Sequence, residues 1–292
     1  MFLLSINEEK ENIKHSIRQM RYKYKSCILL TACVNPQGMP HTTLQDSRIR
    51  AEQYKRALDF YLCETRLPII FCENTMYDMS SDYFQYIESG RLEYLTFDGN
   101  DYDKRRGKGY GEAIIMKYAI DHSRIISNSK YVIKVTGRLI ITNITRYSSS
   151  VLFHLNNLFR SNINDNFIAT YLFIARPKLI LLFIERHKNL IQEIPPNKES
   201  IEYQWYRALT KDTELNNTTY IPFISIPNVV GISGTTGKPY SMEDRRIWNL
   251  AYSYRFELAR DNKILAYLHL TGYYVYYFAN QLKIKIGMKS KN

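Results

Sequence analysis

Residues 98–112 read Asp98-Gly-Asn-Asp-Tyr-Asp-Lys-Arg-Arg-Gly-Lys-Gly-Tyr-Gly-Glu112. Gly107, Gly109 and Gly111 open a predicted helix, and Lys104, Arg105, Arg106 and Lys108 crowd the same loop. Glycine lets backbone N–H groups approach a ligand, and a helix N-terminus carries partial positive charge. The chemistry such a loop suits is diphosphate binding, with Lys108, Gly109, Tyr110, Gly111 and Glu112 as the candidate contacts. It is not a dinucleotide-binding fingerprint, because the glycine spacing differs and the preceding strand ends too early. An ordinary surface loop is the alternative.

Lys134-Val-Thr-Gly137-Arg138 interrupts an apolar run. Glycine inside a strand marks a bulge or a close backbone approach. An unbroken strand would put Lys134 and Arg138 on one face, and two cations there want an anion. Thr31, Ala32 and Asn35 end the first apolar run, where open parallel sheets bind ligands. Arg50 and Tyr54 lie four apart on the following helix, hence on one face. That pair suits a phosphate and a base, or a solvated helix surface. Glu73 and Asn74 end the next run and could accept from a ribose or a base edge, or cap a turn.

A general base is sought among the carboxylates. Glu199 and Glu202 follow Pro195-Pro196 at the start of a helix carrying Trp205 and Tyr206. A carboxylate at a helix N-terminus is stabilised as an anion, a usable state for deprotonating a hydroxyl. Glu202 is the candidate, with a capping role as the alternative; Asp165 has less support. Gly231-Ile-Ser-Gly-Thr-Thr-Gly-Lys-Pro-Tyr240 fails as a phosphate-binding P-loop, because Pro239 follows Lys238. The histidines show no ligand spacing, and no Ser/His/Asp order is justified.

The elements that must position these residues alternate. Strands are predicted at 26–38, 67–75, 92–98 and 131–143. Helices are predicted at 46–64, 82–89 and 111–127. Strands alternating with helices point to βαβ units and a mostly parallel sheet with helices on both faces. The second half is less regular. Helices are expected at 148–158, 185–194, 200–210 and 242–260, and two strands within 168–184 joined across Arg176-Pro177-Lys178. Residues 221–240 have the texture of strand and loop. The expected organisation is a helical leader at 1–25, a ligand-binding half at 26–147, a second half at 148–260 and a Tyr-rich basic tail at 261–292, in one compact unit.

The chain has 292 residues, 40 Lys plus Arg against 28 Asp plus Glu, a net charge of +12, and 25 tyrosines. Such a composition excludes a disordered chain and a small disulfide scaffold. It allows an anionic ligand, a nucleic acid or an anionic membrane surface. The basic residues are spread and match no nucleic-acid motif, so a nucleic-acid-binding or RNA-modifying protein is the alternative function rather than the leading one. Cys27, Cys33, Cys63 and Cys72 lack metal-ligand spacing and read as buried thiols of a reducing compartment. The N-terminus has no secretory pattern. Residues 264–282 carry no charge and are followed by four lysines, which leaves a packing helix, an interfacial segment or a membrane span open.

Taken in order, ILLTACVNP, the helix of Asp46, Arg50 and Tyr54, IIFCEN, GNDYDKRRGKGYGEA, YVIKVTGRLIITN and GISGTTGKPY resemble bacterial glycosyltransferases of the GT-A type found in capsule and O-antigen assembly. The resemblance spans roughly residues 26–260. It implies a GT-A-like α/β fold, a nucleotide-diphosphate sugar donor bound by the first half, and a glycan or lipid-linked glycan acceptor bound by the second. A cytoplasmic enzyme, peripheral at the inner face of the membrane, is the expected setting. GT-A enzymes usually place Asp-x-Asp at a strand end to hold a divalent metal; here the matching strand reads Lys134 to Arg138. We therefore expect no required cofactor, with the diphosphate neutralised by Lys and Arg. Mn²⁺ or Mg²⁺ on Asp101 and Asp103 is the fallback.

Overall fold

A computed structural model describes residues 22–149, 157–159, 161–162, 167–194, 199–215, 220–221, 227–240 and 271. In chain order the strands are β1 (Tyr24–Ala32), β2 (Ile69–Glu73), β3 (Leu92–Thr96), β4 (Ser129–Thr136), β5 (Ile140–Ile141), β6 (Asn157–Leu158), β7 (Ser161–Asn162), β8 (Phe167–Ile168), β9 (Leu172–Ala175), β10 (Tyr220–Ile221) and β11 (Val229–Val230). The α-helices are α1 (Ser47–Glu64), α2 (Phe84–Glu88), α3 (Lys108–His122), α4 (Arg124–Ser127), α5 (Ile144–Ser149), α6 (Pro177–His187) and α7 (Ile201–Lys211).

The main sheet runs β10-β6-β9-β4-β1-β2-β3. β3, β2, β1 and β4 are parallel, and β9 pairs antiparallel with β4 and β6. From Ser26 onward β1 is buried at every position. That is why it reads as a continuous apolar run rather than an alternating one. On one face Ile28, Leu30, Ile133 and Val135 pack against Tyr54, Leu58 and Tyr61 of α1. On the other, Leu29, Val132 and Phe173 meet Met116 of α3, Phe183 of α6 and Trp205 of α7. The protein is thus an α/β fold with a mostly parallel sheet and helices on both faces, and strands from either side of residue 148 share that sheet.

α1 begins where Asp46 Oδ1 accepts from Arg48 N (2.8 Å) and Ile49 N (3.2 Å). This side chain satisfies two otherwise orphaned N–H groups, so Asp46→Ala is expected to cost about 1 kcal/mol. Urea denaturation of the two proteins measures it, and an unchanged midpoint would refute the capping role. Within α1 the predicted apolar position Ile49 is half exposed, while Arg50 is buried, because Arg50 is drawn inward by backbone carbonyls described below.

Several expectations need correction. The run 131–143 is not one strand. β4 stops at Thr136 and turns, with Leu139 N donating to Thr136 O at 2.9 Å. Gly137 N donates to Thr31 O (2.9 Å), and a Cβ on Gly137 would fall 2.7 Å from that oxygen. Close approach to β1 is thus what requires glycine, and the turn sends Lys134 and Arg138 different ways. Residues 168–184 are not two strands: β9 ends at Ala175 and α6 follows. Pro177 takes the first helical position, where its fixed φ and missing N–H cost nothing. Leu179, Ile180, Phe183, Ile184 and His187 then share a buried helical face. The helix expected at 185–194 ends at His187, followed by a 3-10 turn at Lys188–Leu190.

The predicted helix at 111–127 starts at Lys108 and breaks at Ser123, whose extended backbone caps α4 through its hydroxyl. The helix at 82–89 is a 3-10 turn, Ser80–Tyr83, followed by α2. Of the helix expected at 148–158, residues 148–149 end α5, residues 157–158 form β6, and residues 150–156 lie outside the described residues. Cys27 and Cys72 are buried, Cys33 is half-buried, and Cys63 is exposed, contrary to expectation. Burial pushes the Cys27 thiol up to about 12 and the Cys33 thiol up to about 11. Residues 1–21, the helix expected at 242–260 and nearly all of the tail lie outside the described residues. Among the described residues no helix is long and apolar enough to cross a membrane.

Candidate functional site: a cleft at the carboxyl ends of the parallel strands

A cleft of about 560 Å³ opens beyond the ends of β1, β2 and β4. Thr31, Ala32, Arg50, Tyr54, Asn74, Lys108, Gly109, Gly111, Glu112, Arg138 and Glu202 all line it. The topology explains the convergence. Parallel strands deliver all their carboxyl ends to one edge, and the βα loops must cross there.

Several lining residues serve the protein itself. Arg50 donates through Nη2 and Nε to Cys33 O (2.6 and 3.0 Å) and through Nη1 to Leu44 O (3.2 Å). Tyr54 Oη accepts from Cys33 N (3.1 Å) and from Arg50 Nη2 (3.2 Å). The pair read as a phosphate and base contact therefore holds the loop after β1 in shape. Glu73 is fully buried and does not line the cleft. Its Oε1 accepts from Val34 N (2.9 Å), and its Oε2 from Thr75 N (2.8 Å) and Tyr77 N (2.9 Å), tying two strand-end loops together. Asn74 does face the cleft; its Oδ1 is buried without a hydrogen-bond partner among the described residues. Asn35 is exposed outside the cleft, where its carbonyl accepts from Asn100 Nδ2 (3.0 Å).

The glycine-rich start of α3 departs further from expectation. Its first N–H groups meet a carboxylate of the chain: Glu193 Oε1 accepts from Gly109 N (2.8 Å) and Oε2 from Lys108 N (3.2 Å). A Cβ on Gly107 or Gly109 would lie within 2.6 Å of Glu193, and one on Gly111 would lie 2.2 Å from Tyr102 Oη. These glycines make room for Glu193 and Tyr102. Burial, and then the neighbouring Glu202, push the Glu193 carboxyl up to about 7. Tyr110 is turned away from the cleft, with the Arg106 guanidinium 4.0 Å from its ring centre. Lys108 Nζ donates to Thr235 Oγ1.

Lys134 and Arg138 separate completely. Lys134 is fully buried on the α3 side and pairs with Glu112 Oε1, with Thr170 O as a second acceptor at 2.6 Å. Its anion is therefore part of the chain, and it is not presented to the cleft. Arg138 lies on the α1 side, nine-tenths buried, and its Nη1 has no hydrogen-bond partner among the described residues. Burial, with Arg50 nearby, makes its charged state less favourable than usual. Glu202 lies in the first turn of α7, where Thr170 Oγ1 donates to its Oε1 at 3.0 Å.

Asp101 and Asp103 lie outside the cleft lining. Asp103 is exposed and binds the Arg105 side chain through both oxygens (2.7–3.0 Å), and Asp101 is exposed. Among the described residues no group of three or more His, Cys, Asp or Glu is arranged to hold a metal ion.

Glu193, Tyr102 and Thr170 are not among the residues the sequence singles out, whereas the segment 231–240, which the sequence leaves as a substrate-facing loop without an assigned role, does reach the cleft: Ser233–Thr235 line it and bond to Thr43. No protein-family model matches the chain. No curated protein matches it either. Among solved structures it is similar to a protein described as a nucleotide-diphospho-sugar transferase from Desulfovibrio desulfuricans. The identity is 11%, the TM-score 0.39, and the match covers 68% of this chain and 80% of that one. It is similar to a cytidylyltransferase from Leptospira borgpetersenii at 10% identity and TM-score 0.36, over 82% of this chain and 92% of that one. It is also similar to HddC from Yersinia pseudotuberculosis at 11% identity and TM-score 0.31, over 77% and 97%. Likenesses this loose carry no argument about activity.

Proposed function

We propose that the protein is a transferase acting on a nucleotide-diphosphate sugar, and specifically a glycosyltransferase that passes the sugar to a hydroxyl of a glycan or lipid-linked glycan in surface polysaccharide assembly. The observation that carries this reading is Arg138. A buried guanidinium without an anionic partner among the described residues, at the carboxyl end of β4 in a strand-end cleft, is suited to a phosphate. Arg–phosphate hydrogen bonds are charge-assisted and often bidentate. Lys108 adds a second cation at the head of α3, and Asn74 Oδ1 offers an acceptor for the nucleoside.

In the reaction we assign, the bond from the sugar's anomeric carbon to the diphosphate oxygen breaks, and the bond to the acceptor oxygen forms. Arg138 and Lys108 stabilise the charge that grows on the departing diphosphate. In an inverting reaction Glu202 takes the acceptor's proton. We propose that no metal is needed, because the cationic role falls to Arg138. The setting that goes with this reading is the cytoplasmic face of the membrane, with the basic tail against an anionic surface.

A thermal-shift panel of nucleotides and nucleotide sugars, with and without EDTA, tests the reading, since a ligand of the native state alone must raise its stability. At about 100 times its Kd a ligand adds about 2.7 kcal/mol. A stabilising nucleoside diphosphate that acts equally in EDTA is the expected result. No shift with any uridine, guanosine or cytidine diphosphate compound would overturn it. A shift restored only by Mn²⁺ or Mg²⁺ would return the phosphate role to a metal. Product analysis with the stabilising donor separates sugar transfer from nucleotidyl transfer.

A further inference from the structure

The cleft has two stations for an anion, and the chain fills one of them. The first is the head of α3, where Glu193 accepts from the N–H groups of Lys108 and Gly109. The second is Arg138, whose Nη1 is buried without a partner among the described residues. The same short loop ties the two together. Lys108 Nζ donates to Thr235 Oγ1, and Arg138 Nη2 lies so close to Gly234 that a Cβ there would come within 2.2 Å of it. A diphosphate carries two phosphoryl groups and would use both stations, but Glu193 occupies the first.

Resting on the donor reading above, we propose that Glu193 is a built-in competitor of the donor's diphosphate: it holds the head of α3 until a diphosphate paired with Arg138 displaces it. The seat is easily vacated. An ionised Glu193 is half-buried and faces Glu202, so its hold on two backbone N–H groups is offset by desolvation and like-charge repulsion. The charged or titratable groups facing it are Glu202 on α7, Lys108 on α3 and Tyr102 before α3. Burial raises the Tyr102 phenol, which keeps it neutral near pH 7. The sign of the pH effect follows. Displacement returns Glu193 to solvent, where it is more acidic than in its seat, so a proton held at the lower pH is released on binding and the diphosphate binds more tightly at the higher pH.

The test is calorimetric titration of the full chain with dimethyl diphosphate, a fixed dianion whose own charge does not change near neutrality. Wild type is expected to bind about tenfold more weakly at about pH 6 than at about pH 8, and to release protons on binding at the lower pH. Glu193→Ala, which empties the seat, is expected to bind more tightly than wild type at both pH values, with no pH dependence. The wild-type profile and proton release need no variant, so the test survives a variant that folds poorly. Binding that is independent of pH in wild type, without proton release, would overturn the competitor while leaving the donor site intact. Binding weakened by Glu193→Ala would do the same and make Glu193 a fixed part of the site. No binding by either protein at either pH would overturn the donor reading and this inference with it.

Discussion

Glu112→Ala is expected to lower the unfolding free energy by about 3–5 kcal/mol, because it leaves a buried ammonium without its counter-ion. Lys134 is fully buried in β4, and its remaining acceptors, Thr170 O at 2.6 Å and Thr136 Oγ1 at 3.3 Å, are neutral. Glu112 side-chain exposure is 17%, so solvent offers little replacement for the lost charge. Removing both partners is a different experiment from removing one. A buried pair replaced by apolar groups of similar volume is often neutral. The double variant Glu112→Leu with Lys134→Met should therefore recover much of the loss. Urea denaturation of the single and double variants measures the coupling. A Glu112→Ala protein within about 1 kcal/mol of wild type would show that the pair contributes little.

Arg138→Met should act in the opposite direction on stability and strongly on binding. A buried guanidinium without an anion is unfavourable in the folded protein, so an apolar side chain of comparable reach is expected to leave stability unchanged or raise it. Removing one partner of a desolvated, charge-assisted contact costs about 2–5 kcal/mol of binding, roughly 30- to several-thousand-fold in Kd. Diphosphate affinity should fall by that factor, and affinity for the matching nucleoside by much less. Melting curves and calorimetric titration read both quantities on the same samples. A variant that loses stability and binding together would mean that Arg138 is a structural residue.

The sheet was legible in the sequence because its central strands are buried on both faces, so Cys27–Ala32, Ile69–Cys72 and Tyr131–Val135 appear as short apolar runs between turn residues. The site was legible to the same extent as the strand ends: Thr31, Asn74 and Arg138 meet because parallel strands deliver them to one edge. Charges were harder to assign. Lys134 and Arg138 look equivalent in a linear reading, but Gly137 turns the chain between them, and one meets Glu112 while the other faces the cleft. Glu73 and Arg50 satisfy backbone groups, a use that leaves no mark on spacing. Glu193 carries no local signal, since its partners at Lys108 and Gly109 are more than 80 residues away in the chain.

The segment that crosses the cleft also sets an order on how the protein comes into being. Thr43 Oγ1 donates to Thr235 O across 192 positions, and Val229 and Val230 pair with Ile141 and Ile140. Contacts so distant in sequence must repay a large loop-closure entropy and are made late. A chain emerging from the ribosome can pair β1 to β4 long before residue 235 exists, and for that interval the cleft at its strand ends is open to solvent. The same few hydrogen bonds make this crossing the part that opens first in the finished protein. Its amides, and that of Thr43, should exchange with solvent well before those of β1 and β4.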